Sequence, residues 1–383
     1  MASTTPPRER LVALDVFRGI TVAAMLLVNN PGSWNAIYEP LEHAPWHGWT
    51  PTDLIFPFFL FIVGITTYLA AAARRERGVD DGQLVRQILL RGALIVLFGI
   101  LLNAFPFYPL ERITGVRFPG VLQRIGVCYI CAALLTLRTT VRQQIAIIAA
   151  LLLGYWAAMT LIPVPGQTVT GRALIDEPSA SLAAWIDRGI FGSHLWRSSK
   201  TWDPEGLLST IPAIGTTMLG VLAGRWLGST QRPLAERLTG LFGVGCLLMV
   251  AGLMWHWVFP INKNIWTSSY VLFTAGMAAA ALATCSWLID MLGLRRWTTP
   301  FAVFGVNPLL AFIGSGMMAR LIYSVIQVPF RGETVSIQRA IYESAFASWL
   351  APRNASLLFA VTFVLLWIGL LWTLYRRRVY LRV

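Results

Sequence analysis

The sequence is poor in charged residues, histidine and cysteine. Only 13% of its 383 residues are Asp, Glu, Lys or Arg, and it has four histidines and four cysteines. All four cysteines fall within apolar stretches. This argues against a redox or zinc site at the Cys128-x-x-Cys131 pair, and we predict no metal site. The chain also lacks a long low-complexity linker, so we predict a single domain over residues 1–383.

Long apolar runs dominate what is present. The chain is 56% hydrophobic, and its apolar residues fall in runs of about 20, the length of a helix that crosses the hydrocarbon core of a bilayer. We predict an all-α, polytopic membrane bundle of ten transmembrane helices. The predicted spans are 11–30, 53–73, 85–105, 119–137, 143–163, 207–228, 238–259, 266–291, 298–325 and 354–375.

The basic residues predict the orientation of these spans. They cluster at the N-terminus (Arg8 and Arg10), in ARRERG after the second span and in the tail YRRRVYLR, and such clusters mark cytoplasmic segments. Both termini are therefore predicted to be cytoplasmic. The opposite loops hold most of the acids, including Glu39, Glu42, Glu111, Asp176, Glu177, Asp187, Asp203 and Glu205. The net charge of +13 thus indicates orientation and contact with anionic lipid, and gives little support to a nucleic-acid partner.

The longest outward loop, residues 163–206, contains one predicted surface helix. In SLAAWIDRGIFG, Leu182, Trp185, Ile186 and Ile190 recur at helical spacing. An amphipathic helix of this kind lies in the membrane interface. We therefore expect the loop to be held at the membrane surface.

Residues able to do chemistry concentrate in the first outward loop, residues 29–64. It holds two of the four histidines, His43 and His47, and imidazole is the side chain best suited to acid–base chemistry. Asn29 stands at the end of the preceding span and Asp53 at the start of the next. The tryptophans of this loop are interpreted as interfacial anchors. The histidines, in contrast, favour chemistry over packing.

Ionisable side chains within spans require partners, because an isolated charge in the bilayer is costly. Asp15 and Arg18 stand one helical turn apart and can pair with each other. Arg124 has only small and apolar neighbours in the sequence after Gln123. We expect an acid such as Asp53, or a ligand phosphate, beside it.

Further polar residues begin or interrupt the later spans. Asp203 precedes a proline and can cap the sixth span, whereas Glu205 is less well explained by capping. Asn262 and Lys263 precede the eighth span, and Asn307 stands before a proline within the ninth, a placement that a wet or protein-lined interior accepts. The residues that share a level in the outer half of the bilayer are His43, Asp53, Arg124, Glu205 and Lys263. A common polar cavity that opens outward is the simplest account.

Six segments, in order, resemble the motifs of a known family. They are LDVFRG, EHAPWHGWTPTDLIFPFFLFIVG, FPGVLQRIGVCY, WDPEGLLSTIPAIGTTMLG, NKNIWTSSYVLFTAG and GVNPLLAF. Together they are similar to the successive motifs of the heparan-alpha-glucosaminide N-acetyltransferase family, across nearly the whole membrane domain. The family includes bacterial members, and the resemblance implies a transmembrane acetyltransferase that is a multi-pass protein of a bacterial inner membrane. It would move acetyl from cytoplasmic acetyl-CoA to the amino group of a glucosamine-type sugar on the periplasmic side.

The resemblance also implies roles for individual residues. The family's active-site histidine lies in an HA-aromatic motif that His43 matches, and its asparagine at the end of the first span matches Asn29, or Asn30 with a shift of one residue. A neutral imidazole can accept the proton that the attacking amine loses. A covalent acetyl-histidine is the other route, and the sequence does not separate the two. Asn29 could orient the imidazole or donate a hydrogen bond to the thioester oxygen.

Charge and level in the membrane suggest two sets of binding residues. The set predicted to bind CoA consists of Arg124, Lys263, Asn262 and Gln123. The set predicted to bind the acceptor consists of Asp53, Asp203, Glu205, Asn307 and His47.

Two other functions stay open at this stage. A permease for N-acetylglucosamine or a related amino sugar is the first, but transporters often show internal repeats and paired broken helices, which we do not find in this sequence. A member that only binds ligand is the second, and the intact HAPW segment argues against it. The sequence is compatible with a homo-oligomer and does not identify the acceptor.

Overall fold

The structure is a bundle of helices. The computed structural model describes residues 11–109, 111–168 and 170–379. Arg8, Arg10 and Arg382, which belong to the basic clusters predicted to be cytoplasmic, lie outside the described residues. The helices are α1 (Val12–Asn29), α2 (Ile55–Glu76), α3 (Asp81–Ala104), α4 (Glu111–Thr114), α5 (Val121–Arg138), α6 (Val141–Leu161), α7 (Arg172–Asp176), α8 (Leu182–Phe191), α9 (Leu207–Leu227), α10 (Leu234–His256), α11 (Ser268–Ser286), α12 (Thr299–Val306), α13 (Pro308–Arg320), α14 (Ile337–Ala345) and α15 (Pro352–Arg376).

Short segments complete the secondary structure. Turns of 3-10 helix occur at Glu39–Leu41, Pro51–Leu54 and Gly192–His194. Turns of π-helix extend α11 at Trp287–Met291 and α13 at Leu321–Val325. Strands β1 (Gln327–Phe330) and β2 (Glu333–Ser336) form an antiparallel hairpin before α14.

The predicted number of membrane spans is confirmed. Ten helical segments of the described chain are long and apolar enough to cross a membrane, by length and composition, and they contain α1, α2, α3, α5, α6, α9, α10, α11, α13 and α15. The predicted ninth span is broken, since α12 ends at Val306 and α13 begins at Pro308. Proline has no N–H to continue the helical hydrogen bonds, which explains a break at this point.

The helices differ in how much of their surface faces the lipid. On α9, residues of nearly every turn are buried, whereas α3 exposes Leu90, Leu94, Leu97 and Leu101. An apolar helix exposed in this way is typical of a span that faces lipid.

We call the end of the bundle that carries His43 the outer end and the opposite end the inner end, following the predicted orientation.

Glycines allow the central helices to pack with their backbones in contact. A Cβ atom on Gly64 of α2 would lie 2.0 Å from the carbonyl oxygen of Thr217, and one on Gly220 of α9 would lie 2.1 Å from that of Phe61. Small residues at such positions let membrane helices approach closely. The α2–α9 pair is therefore tightly packed, and the 3-10 turn that carries Asp53 directly precedes α2 at its outer end.

The predicted surface helix of the 163–206 loop is present as α8. Leu182 is buried, as its place in the apolar stripe requires, whereas Trp185 and Ile190 are exposed. The side of α8 that is buried carries Asp187 and packs against α9. The helix therefore connects the loop to the outer end of the bundle.

Candidate active site

Asp53 anchors the first outward loop at the outer end of the bundle. Pro51 starts a 3-10 turn, around which Thr50 and Asp53 form a capping box. The Oδ2 atom of Asp53 accepts hydrogen bonds from the backbone N–H groups of Thr50 and Ala44, both at 3.0 Å. The Asp53 side chain is fully buried. The loop thus holds one carboxylate oxygen and leaves Oδ1 for another partner.

His43 is that partner. Its Nδ1 atom lies 2.7 Å from Oδ1 of Asp53, and 47% of its side chain is exposed. Because a carboxylate only accepts hydrogen bonds, this contact assigns the ring proton to Nδ1 and the lone pair to Nε2. The two residues form a His43–Asp53 dyad whose Nε2 atom can accept a proton.

Lys263 is the third charged group at the dyad. Its Nζ atom lies 3.2 Å from Nδ1 and 3.1 Å from Nε2 of His43, and 4.0 Å from Oδ1 of Asp53. Burial lowers the pKa of Lys263, although Asp53 and Glu205 act in the opposite direction. The three side chains form one network in which Lys263 balances the buried charge of Asp53.

A strained turn holds Lys263 in this position. The N–H of Trp266 donates to the carbonyl of Lys263 at 3.1 Å, and Trp266 has a φ of 51°, a left-handed conformation that costs roughly 1–2 kcal/mol in a residue other than glycine. Asn262 braces the turn, because its Oδ1 atom accepts the N–H of Ile265 at 3.2 Å. The buried ring of Trp266 donates from Nε1 to Thr216 at 3.1 Å. Backbone strain supported in this way is typical of functional sites.

A second charged cluster contains a residue that sequence reasoning missed. Arg117 donates from Nε to Oδ2 of Asp203 at 2.8 Å, and from Nη2 to both Asp203 and Glu205. Burial raises the pKa of Glu205, but Arg117, Arg124 and Lys263 outweigh this effect and lower it overall. Glu205 therefore connects this cluster electrostatically to Lys263. Arg117 is one of two arginines in the outward segment between α3 and α5, and because outward loops are usually poor in basic residues, this is the signal that could have identified it.

Arg124 lies deeper in the bundle and is only 2% exposed. Its guanidinium lies over the ring of Trp266, 5.1 Å from the ring centroid. It donates to the carbonyl of Gly206 at 3.2 Å and to the hydroxyl of Ser209. The structure thus places Arg124 against the start of α9, and not against Asp53, the acid that the sequence suggested.

His47 makes a different set of contacts from His43. Its Nε2 atom lies 2.8 Å from Oδ1 of Asp176, and its Nδ1 atom lies 3.3 Å from Nδ2 of Asn262. The adjacent Trp46 packs edge-on against Trp202, with ring centroids 5.2 Å apart. His47 therefore shares the loop with the dyad but bonds to the 163–206 loop.

The two predicted asparagines outside the loops lie at different levels. Asn29, at the end of α1, lines a cavity at the outer end. Asn307 donates to the carbonyl of Val379 at 3.1 Å, beyond the inner end of α15. The structure therefore brings Asn29 towards the outer end and does not bring Asn307 to the dyad.

Two cavities lie between α1, α3, α5 and the helices that follow Thr298, and α2 also lines the inner one. The inner cavity has a volume of about 680 Å³ and is lined by Arg18, Arg74 and Arg91 towards the inner end and by Phe56 further out. The outer cavity has a volume of about 280 Å³. The residues that line both cavities are Met25, Val121, Leu122 and Phe312. The two cavities are thus neighbours that share one wall.

No candidate metal centre accompanies these cavities. Within residues 11–109, 111–168 and 170–379, we find no group of three or more His, Cys, Asp or Glu side chains that could hold a metal ion.

Asp187 links the 163–206 loop to the start of α9. Its side chain is buried, and its Oδ1 atom accepts the N–H of Leu207 at 2.9 Å. A Cβ atom on Gly206 would lie 1.9 Å from Oδ2 of Asp187, so glycine is needed for this close approach. Burial raises the pKa of Asp187 to about 7, and nearby Asp203 adds to the rise.

Replacing Asp187 by Asn should stabilise the protein at alkaline pH. Because folding raises the pKa of this carboxyl from 3.8 to about 7, its favourable contribution to stability is complete below the unfolded value and is lost as the pH rises through 7. Asp187→Asn keeps an acceptor oxygen for Leu207 and has no charge to bury. We expect a free energy of unfolding about 1–4 kcal/mol above that of the wild type well above pH 7, and little difference near pH 4.

Melting curves followed by tryptophan fluorescence in detergent, at an alkaline and an acid pH, measure this difference. Glu177→Gln changes an exposed acid of the same loop and should show no such pH-dependent gain. An equal gain from Asp187→Asn at both pH values would contradict the burial of a carboxylate as its cause.

Comparison with known proteins shows the family of this chain. The model of the family described as "Heparan-alpha-glucosaminide N-acetyltransferase, catalytic" matches residues 10–238, more than half of the chain. The chain belongs to the heparan-alpha-glucosaminide N-acetyltransferase family. This confirms the resemblance found in the sequence motifs.

Individual relatives of the family agree with this match. The human heparan-alpha-glucosaminide N-acetyltransferase is 32% identical over 360 residues, and the mouse protein of the same name is 30% identical over 356 residues. These alignments cover 82% and 80% of this chain and 53% of each relative. The chain therefore spans about half the length of the curated relatives it matches.

The part of the chain that matches the heparan-alpha-glucosaminide N-acetyltransferase family model contains most of the candidate site. The His43–Asp53 dyad and the Arg117 cluster fall inside residues 10–238, whereas Lys263 lies beyond them. Lys263 lies in the turn before α11, and its Nζ atom contacts the ring of His43.

Proposed function

We propose that this chain is an acetyltransferase of a bacterial inner membrane that uses cytoplasmic acetyl-CoA to acetylate the amino group of a glucosamine-type sugar on the outer side. The observation that carries the proposal is the His43–Asp53 dyad, whose Nε2 atom can accept a proton at the outer end of the bundle. The name of the human and mouse relatives supports both an acetyl transfer and an amino-sugar acceptor.

The inner cavity fits the donor. Acetyl-CoA has phosphates at one end and a long uncharged arm that ends in the thioester. Arg74 and Arg91 line the cavity towards the inner end, and guanidinium groups suit phosphates well. Arg18 also lines the cavity, but it donates to Asp15 at 2.6 Å and to the carbonyl of Gly305 at 2.7 Å. Phe56 and Phe59 line it further out, where the uncharged arm would lie. A volume of about 680 Å³ is within the usual range for ligand sites.

This assignment of the phosphates differs from the set suggested by the sequence. Arg124 is buried against the start of α9 and Lys263 contacts His43, so both already bond at the outer end. Phosphates bound there would have to cross the bilayer with their charge, which is costly. Arginines at the inner end avoid this cost because only the uncharged arm enters the membrane.

His43 acts as the general base in this proposal. The acceptor amine must lose a proton as its nitrogen bonds to the thioester carbon, and Nε2 of His43 takes that proton. Asp53 stabilises the imidazolium through its bond to Nδ1, as the acid does in Ser-His-Asp sites. His43 then returns the proton to the sulfur when the C–S bond breaks, so that CoA leaves as a thiol. In this proposal Asn29, which lines the outer cavity, donates a hydrogen bond to the thioester oxygen.

An assay in proteoliposomes distinguishes the proposed acetyltransferase from a permease. Vesicles that contain the purified protein would be loaded with acetyl-labelled acetyl-CoA and supplied with glucosamine outside. We expect labelled N-acetylglucosamine to accumulate outside, and protein-free vesicles to give none. Uptake of unmodified sugar without any acetylated product would instead support the permease and refute the acetyltransferase.

A further inference from the structure

Lys263 is one of only two lysines in the chain, and it is the one that lies at the His43–Asp53 dyad. The other, Lys200, is exposed in the 163–206 loop. The side chain of Lys263 is only 16% exposed. Burial of a flexible ammonium group costs both solvation and side-chain entropy, so the position of Lys263 requires an explanation.

Hydrogen bonds fix the backbone on both sides of Lys263. The N–H of Asn262 donates to Oγ1 of Thr267 at 3.0 Å, and the N–H of Thr267 donates to the carbonyl of Asn262 at 3.1 Å. Both residues are fully buried. The turn that these bonds close therefore presents Lys263 rigidly to the dyad. A rigid donor suits the stabilisation of a transition state, because it does not have to reorient during the reaction.

The ammonium of Lys263 lies above the ring of His43. Its Nζ atom is almost equally distant from the two ring nitrogens, 3.2 Å from Nδ1 and 3.1 Å from Nε2. An atom in the ring plane at these distances would overlap a ring carbon, so Nζ lies over one face of the imidazole. The lone pair of Nε2 points outward in the ring plane. Lys263 therefore leaves this lone pair free for the acceptor amine.

The ammonium also has donors that the protein does not use. It carries three N–H groups, and among the described residues its closest carboxylate oxygen, Oδ1 of Asp53, is 4.0 Å away, beyond hydrogen-bond distance. Nδ1 of His43 donates its own proton to Asp53 and cannot accept another. Lys263 is thus a partly exposed cation at the dyad that can bind an oxygen atom of a substrate.

Phe56 connects the turn of Lys263 to the inner cavity. It lines that cavity and packs edge-on against Trp266, with ring centroids 5.0 Å apart. The N–H of Trp266 bonds the carbonyl of Lys263. Phe56 also follows Asp53 by three residues. The outer end of the inner cavity, where the thioester of a bound donor would lie, is therefore next to the layer that contains the dyad and Lys263.

We propose that Lys263 is a catalytic residue, whose ammonium donates a hydrogen bond to the thioester oxygen as this oxygen becomes negatively charged. The acceptor amine bonds to the thioester carbon, its proton passes to Nε2 of His43, and the electron pair of the C=O bond moves to the oxygen. When the C=O bond forms again, the C–S bond breaks and the sulfur takes the proton from Nε2. Lys263 keeps its own proton throughout. This inference rests on the proposed acetyl transfer and adds a charged donor to it.

The distances allow this contact. An amine that gives its proton to Nε2 of His43 lies within hydrogen-bond reach of that atom, at about 3 Å. The charged oxygen is two bonds from the amine nitrogen, and Nζ of Lys263 is 3.1 Å from the same Nε2 atom. An oxygen on the face of the ring that carries Lys263 can therefore lie about 3 Å from Nζ, the distance that such donors need.

Lys263→Met tests the inference, because methionine is similar in length and has no N–H donor. We expect kcat for acetyl transfer to glucosamine to fall about 100- to 1,000-fold, the usual cost of removing one donor to a charged oxygen of this kind. The KM for acetyl-CoA should change little, because the hydrogen bond strengthens in the transition state. Lys200→Met removes the exposed lysine and is the matched control, which should transfer acetyl at the rate of the wild type.

Infrared spectroscopy separates this role from a simple balance of the Asp53 charge. Difference spectra between unlabelled acetyl-CoA and acetyl-CoA with carbon-13 at the thioester carbonyl isolate the C=O stretch of the bound donor and need no turnover. A hydrogen bond to the oxygen lowers the frequency of this stretch. We expect a lowered frequency in the wild type and in Lys200→Met, and a return towards the value of free acetyl-CoA in Lys263→Met.

Asp53→Asn provides a background in which Lys263 has no carboxylate to balance. The lowered frequency should persist in Asp53→Asn and disappear when Lys263→Met is added to it. The double variant leaves no buried carboxylate without its cation, so it keeps the inference testable even if Lys263→Met alone fails to fold. A frequency that is the same in Asp53→Asn and in the double variant would contradict a contact between Lys263 and the thioester oxygen.

Other results would also overturn the inference. An unshifted C=O stretch in wild-type protein with acetyl-CoA bound would exclude the contact, and so would unchanged kcat in Lys263→Met. Acetylation of Lys263 itself, seen as a mass increase after incubation with acetyl-CoA, would make it a nucleophile instead of a donor. A lowered frequency that depends on Lys263, in a protein that never transfers acetyl to glucosamine, would support the contact and refute the acetyltransferase.

Discussion

Replacement of His43 by Gln is expected to lower the rate of acetyl transfer about a thousandfold, within the range of 10²–10⁴ that general acid–base catalysis contributes. Glutamine is similar in size and its amide can still bond to Asp53, but it does not accept a proton at neutral pH. The loss should appear in kcat, because the acetyl-CoA cavity does not include His43. Binding of acetyl-CoA should therefore stay close to that of the wild type.

His47→Gln provides the matched comparison for His43→Gln. Both histidines belong to one loop, but His47 bonds to Asp176 and Asn262 instead of Asp53. We expect His47→Gln to lower the rate of acetyl transfer by less than about tenfold, the effect of losing one or two hydrogen bonds. The assignment of the base is wrong if His43→Gln retains transfer while His47→Gln abolishes it. The transfer assay and acetyl-CoA binding to the same preparations decide between these results.

The membrane fold could be predicted from the sequence because the bilayer constrains each span locally. Every backbone polar group within the hydrocarbon must be bonded inside its own helix, so a run of apolar residues is sufficient to locate a span. The break in the ninth span follows equally locally from Pro308. The helix α8 was visible in the spacing of its apolar residues, although Trp185 proved exposed and Asp187 buried.

The contacts of the site were much less accessible to sequence reasoning. His43 and Asp53 were both identified, but Asp53 was expected to meet Arg124 or the acceptor rather than His43. The contact of Lys263 with His43 joins residues 220 positions apart, and that of Arg117 with Asp203 joins residues 86 apart. No local periodicity connects such pairs. The cavities were equally hidden, since their shape depends on the packing of several helices and not on any one segment.

Arg117→Met is expected to destabilise the protein by about 3–5 kcal/mol, the usual cost of removing one partner from a buried ion pair. Arg117 is the residue that binds both Asp203 and Glu205, and these carboxylates are almost fully buried. Without the guanidinium, two negative charges would face each other in a site with little access to water. The pKa of Glu205, which Arg117 helps to lower, should then rise.

The pH dependence identifies the cause of this destabilisation. In the wild type, the lowered pKa of Glu205 means that its contribution to stability is present at neutral pH and is lost as the pH falls through the folded-state pKa. In Arg117→Met the contribution of Glu205 to stability changes sign, because a raised pKa of Glu205 makes its protonated form the stable one in the folded protein. The difference in melting temperature between variant and wild type should therefore shrink in acid.

A second substitution on the same pair sharpens the test. Adding Glu205→Gln to Arg117→Met removes one of the two uncompensated charges and should restore part of the lost stability, which a double-mutant cycle measures. Arg172→Met is the control, since Arg172 pairs with Asp176 at 3.8 Å on an exposed surface and such pairs contribute less than about 1 kcal/mol. If Arg117→Met were no more destabilising than Arg172→Met, the buried ion pairs of Arg117 would not stabilise the outer end.

Loss of Arg117 should also affect the His43–Asp53 dyad, because Glu205 interacts with Lys263, which contacts His43. We therefore expect the rate of acetyl transfer to fall in Arg117→Met even at temperatures where the variant is folded.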